Sequence, residues 1–112
     1  MLESVGADAE RYMNLLSARQ KLVASNIANA DTPGYKTKDI DFRGEFESQL
    51  ASANPAVVEV SGLKTKNDGN NVDMDRESRL LAENALRFSV AATLAHSEIS
   101  TLKSAIEEGK SS

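Results

Sequence analysis

A single histidine, His96, and the absence of cysteine narrow the chemistry open to this chain of 112 residues. Without thiols there is no disulfide framework, no sulfur metal site and no cysteine nucleophile, and one imidazole cannot build a histidine-rich metal centre. His96 could serve as a lone base, but no serine and carboxylate stand at a spacing that suggests a nucleophile relay. It reads as a helix-surface or interface side chain. The acids Asp68, Asp73, Asp75 and Glu77 invite a calcium loop. Counted from Asp73, such a loop needs glycine sixth and glutamate twelfth, where Ser78 and Asn84 stand; counted from Asp68, its sixth position is Asp73. A polar turn running into a capped helix is the simpler reading. The glycines follow no phosphate-binding pattern, so no catalytic residue, cofactor or metal is expected.

Chemistry of another kind is concentrated in the string Asn26-Ile27-Ala28-Asn29-Ala30-Asp31-Thr32-Pro33-Gly34-Tyr35-Lys36. Pro33 and Gly34 suit the central positions of a type II turn, proline presetting φ and glycine accepting a positive one. The chain must then leave the preceding helix sharply and in one direction. Asn26 and Asn29, three apart, share a helix face and can bond a neighbouring helix or the turn itself. The plainer alternative is a helix stop flanked by two solvated asparagines.

Two long helices must position this string. Residues 8–30 lack Gly and Pro and are rich in helix formers. Stepping by four and three from Ala9 meets Met13, Leu16, Gln20, Val23, Ile27 and Ala30, an apolar seam broken by Gln20 alone and widened by Tyr12, Leu15 and Leu22. Thr32 ahead of Pro33 is pushed out of the α region, which stops the helix near Ala30. A second helix should open at Asp73 or Asp75, with Glu77 also suiting the positive end of its dipole. From Leu81 the same stepping meets Ala85, Phe88, Ala92, Ala95, Ile99, Leu102 and Ile106, a coiled-coil period held for more than three heptads. Gly109, Ser111 and Ser112 should end it.

The chain therefore divides into an N-terminal helix (1–30), a middle region (31–72) and a C-terminal helix (73–112). The expected fold class is mainly α, the terminal helices pairing as a coiled coil around a small, partly ordered middle. Phe42, Phe46 and Leu50 at i, i+4 and i+8 suggest a short helix, Val57, Val58 and Val60 a brief strand, and Lys64 to Asn71 turns. Aromatics are scarce, Tyr12, Tyr35, Phe42, Phe46 and Phe88 being the full set. Apolar surface so distributed favours long narrow contacts, and a lone two-helix coiled coil would be marginal.

Thirteen basic and seventeen acidic side chains leave a net charge of -4, which argues against nucleic acid or an anionic membrane surface as partner. The first twenty residues carry Glu3, Asp8, Glu10 and Arg11 where a secretory signal needs an apolar core, and no apolar run exceeds three residues. Neither a cleaved signal nor a membrane span is expected.

The string Asn26 to Tyr35 closely resembles the segment that ends the first helix of the bacterial flagellar rod and hook proteins, Asn-x-Ala-Asn-x-x-Thr-Pro-Gly-aromatic, with Ala28 and Tyr35 in their places. Asp39-Ile40-Asp41-Phe42 and the string Asp68 to Glu77 resemble small proximal-rod members of that family. The resemblance implies a structural, non-enzymatic subunit that is exported without a cleaved signal and required for motility. Its partners would be other copies of itself, other rod proteins and the export-gate or membrane-ring end of the basal body. Met13, Leu16, Val23, Ile27, Leu81, Phe88, Ile99, Leu102 and Ile106 would then form the assembly seam. The alternatives are a helical-hairpin adaptor or chaperone that grips a partner helix, and, within the family, a different proximal-rod protein.

Overall fold

The computed structural model describes residues 2–48 and 55–111. Along the chain come α1 (Leu2–Ala28), β1 (Lys38–Ile40), α2 (Phe42–Glu47), β2 (Val57–Glu59) and α3 (Met74–Ser111). The molecule measures 72 × 25 × 18 Å with a radius of gyration of 18.5 Å. A compact chain of this length would have a radius near 13 Å. The long axis belongs to α1 and α3, which run antiparallel: Glu98 lies beside Gly6, Asn84 bonds Gln20, and Glu77 bonds Asn26.

The first seam lies where its period places it. Ala9, Leu16 and Val23 are buried, Met13, Gln20 and Ile27 half-buried, and the widening residue Leu15 is buried beside them. Gln20, the break in the stripe, is answered across the interface by Asn84, whose Nδ2 donates to its Oε1 at 3.0 Å. α1 ends at Ala28, two residues before the expected stop, and begins at Leu2, well before residue 8.

The second seam meets α1 only along one edge. Leu81, Phe88, Ile99, Leu102 and Ile106 are between 42 and 66% exposed, whereas the buried edge of α3 is Glu77, Leu80, Asn84 and Ala91, largely one residue earlier in register. The two polar bonds explain the rotation. Asn26 takes Glu77 and Gln20 takes Asn84, which turns the heavier apolar row outward and lets small Ala91 approach α1. α3 also runs through Gly109 to Ser111 instead of ending at that glycine. Since Glu98 lies opposite Gly6, its last turns, from about Lys103 onward, project past the start of α1.

The middle region packs on α1. Asp41 caps α2, accepting from the Gly44 N–H. Tyr12 meets the rings of Phe42 and Phe46 edge to face, with centroids 5.4 and 5.8 Å away. Leu50, the third residue of that expected stripe, falls outside the described residues. The valine strand forms as β2 and pairs antiparallel with β1, Lys38 opposite Glu59 and Ile40 opposite Val57. Val57 and Val58 remain exposed.

Candidate functional site

Pro33 and Gly34 form the expected turn. The Tyr35 N–H donates to Thr32 O at 3.2 Å, and Gly34 has φ of 77°. What the turn rests on is a second glycine. Gly69, with φ of 88°, lies so close that a Cβ there would sit 3.3 Å from the Gly34 Cα, while the Gly34 N–H donates to Asp68 O at 2.9 Å. The 66–71 loop is thereby pressed onto the helix exit.

Asn70 and Asn71 complete the clasp. The buried Asn70 amide donates to Asn29 O and Thr32 O, both at 2.9 Å, as a second donor on carbonyls that also accept from the N–H groups of Thr32 and Tyr35. Its own Oδ1 accepts from the Val72 N–H. Asn71 Oδ1 accepts from the Thr37 N–H at 2.6 Å, and Thr37 Oγ1 donates back to Asn71 O. Lys66 Nζ donates to Ala30 O and Lys36 Nζ to Gly69 O. Asn29 stays with its own helix end, donating to Ser25 O and accepting from Thr32 Oγ1.

Asn26 is the centre of the arrangement and has no exposed surface. Its Nδ2 donates to Glu77 Oε1 at 2.7 Å and to Lys38 O at 2.9 Å. Its Oδ1 accepts from Tyr35 Oη at 2.9 Å and from the Lys38 N–H at 3.1 Å. Both amide hydrogens and both carbonyl lone pairs are used, so this one side chain joins α1, the aromatic of the turn, β1 and α3.

Beside it stands a balanced cluster of two guanidinium groups and two carboxylates. Arg19 grips Asp39 with both Nε and Nη2, Arg76 reaches the same carboxylate at 2.7 Å, and Arg76 Nη1 donates to Glu77 Oε1 at 2.9 Å. Asp39 also accepts from the Ile40 N–H. Burial pushes the Glu77 carboxyl above its ordinary value of 4.5; the Asn26 amide and Arg76 oppose that rise, and the Asp39 charge adds to it.

Of the motif residues, Asn26 is buried, Asn29 and Tyr35 are half-buried, and Ala28, Thr32, Pro33 and Gly34 face solvent. Arg19, Asp39, Arg76, Asn70 and Asn71 carry the clasp; the family-like strings contain all but Arg19, yet no spacing marks their pairing, because their partners lie 20 to 41 residues away. Glu77 turns inward to Asn26 instead of serving the helix end, where Asp73 caps by accepting from the N–H groups of Asp75 and Arg76. His96 is exposed, and among the described residues no group of three His, Cys, Asp or Glu side chains could hold a metal. No helix among them is long and apolar enough to cross a membrane.

Comparison with known proteins converges on the same segment. A family profile described as flagella basal body rod protein matches residues 9–36, which span most of α1, the turn and its aromatic. The flagellar basal body rod protein FlgB of Salmonella typhimurium is 32% identical, over 89% of this chain and 91% of its own. Its namesake in Escherichia coli is 31% identical over the same shares, and that of Borrelia hermsii 32% identical over 73% of this chain and 80% of its own. The match runs through the helices, the turn and the clasp loop together, and the chain belongs to the FlgB family of flagellar basal body rod proteins.

Proposed function

We propose that the protein is a structural subunit of the proximal rod of the flagellar basal body, contributing its α1–α3 pair to the tubular wall and required for motility. The observation that carries this reading is the apolar row Leu81, Phe88, Ile99, Leu102 and Ile106, which the chain's own first helix leaves half uncovered. A row of that length on a helix of a rod-family chain is surface made to be buried by neighbours. The clasp around Asn26 fixes the angle at which α1 and α3 are presented, so assembly starts from a set geometry. The partners are other copies of the chain, other rod proteins and the export-gate or membrane-ring end of the basal body. The subunit reaches the periplasmic side by the flagellar export route.

Recovery of the chain in the rod of purified basal bodies tests the reading, and a purely cytosolic pool would overturn it. A matched pair of variants sharpens the test. Ile99 is 66% exposed in the isolated chain, so Ile99→Asp should leave its folding intact while abolishing rod incorporation and swimming, because the carboxylate would be buried unpaired in the contact. Lys103→Gln, four residues away and off the row, should change stability by no more than about 0.5 kcal/mol and leave motility unchanged.

A further inference from the structure

Apolar surface on α3 is not confined to that row. Leu86, Val90 and Leu94, at i, i+4 and i+8, form a second exposed row. Val90 and Ile99 are nine residues apart, about two and a half helical turns, which sets the two rows on opposite flanks of the helix. Each row borders a groove shared with α1. One, of about 390 Å³, is lined by Glu10, Met13, Ala95, Glu98, Ile99 and Leu102. The other, of about 420 Å³, is lined by Tyr12, Phe46, Leu86, Arg87, Val90 and Leu94.

The grooves differ in charge. Glu10 and Glu98 of the first have no ion-pair partner among the described residues, and Glu98 Oε2 is shut off from solvent without a hydrogen bond. In the second, Asp8 is taken by Arg11, while Arg87 has no ion-pair partner among the described residues. Like faces brought together would set carboxylate against carboxylate or guanidinium against guanidinium. Unlike faces would pair them.

Resting on the rod-subunit reading above, we propose that the Glu98–Ile99–Leu102 groove of one copy receives the Leu86–Val90–Leu94 flank of a second copy, with Arg87 meeting the unpaired carboxylates. One neighbour cannot cover both flanks of a single helix, so each copy binds one neighbour with each flank. A contact between unlike faces does not close on itself as a twofold dimer does, and repeats into a ring or an open helical array.

The test uses the full chain and two substitutions at exposed positions, Val90→Asp and Ile99→Asp, each checked for native helix content by circular dichroism. In sedimentation at rising concentration, the wild-type chain should form large assemblies and each variant alone should stay monomeric. An equimolar mixture of the two should give dimers and nothing larger, because each variant brings one intact face of the opposite kind. Dimers of either variant alone would mean that like faces pair, and would overturn the inference. A mixture that stays monomeric, or a wild-type chain that stays monomeric although basal bodies contain it, would overturn it in favour of a different rod protein on these flanks. Absence of the wild-type chain from basal bodies would instead overturn the rod-subunit reading itself.

Discussion

Asn26 shows why an asparagine, and no close relative of it, stands before the turn. Four hydrogen bonds fill its capacity in a site without solvent. Asn26→Asp keeps the acceptor but removes both donors and sets a second carboxylate against Glu77, so a loss of about 3 kcal/mol in urea unfolding is expected, more than a surface asparagine would give. Glu77 makes a different prediction, in pH. Its folded value is raised above the unfolded one, so folding favours the protonated form; its stabilising contribution is complete below the unfolded value of 4.5 and is lost as pH rises through the raised folded value. The stability of the wild-type chain minus that of Glu77→Gln should therefore fall as pH is taken from below 4.5 towards neutrality. A difference that grows over that range would show that the Arg76 ion pair, and not burial, governs the carboxyl.

The turn and its glycine partner act as one element. Gly34→Val puts a β-branched side chain at φ of 77°, with a strain of about 1–3 kcal/mol, and misdirects the chain away from the 66–71 loop. In a complementation assay the variant should be made and exported yet fail to restore swimming; normal swimming would show that the exit angle is not needed for assembly. This turn was legible in the sequence because Thr-Pro-Gly encodes its own dihedral angles, and the α1 seam was legible because period and composition agree. The facing edge of α3 was not. A stripe about 100° wide has two edges, and which one meets α1 is decided by Gln20 finding Asn84 and Asn26 finding Glu77, pairings across 64 and 51 residues that no local pattern carries. β1 was missed for the same reason: Lys38-Asp39-Ile40 has little strand character of its own and is held straight by Asn26 and β2.

At the scale of the molecule, polar bonds between the two long helices and the middle region crowd one end of a 72 Å body. Hydrogen exchange of the dilute monomer should follow that gradient, with the strongest protection around Val23 to Ile27 and Glu77 to Asn84 and the weakest beyond Leu102, where α3 runs past the start of α1. Uniform strong protection along both helices would contradict the picture. The gradient also has a mechanical side. A pair of rods clamped at one end and loosely seated at the other behaves as a tuning fork: a load applied at the clasp is carried stiffly, and one applied at the tips spreads or twists the prongs. Identical subunits can then take slightly different curvatures within one rod, bending at the prongs while the clamped end keeps its shape.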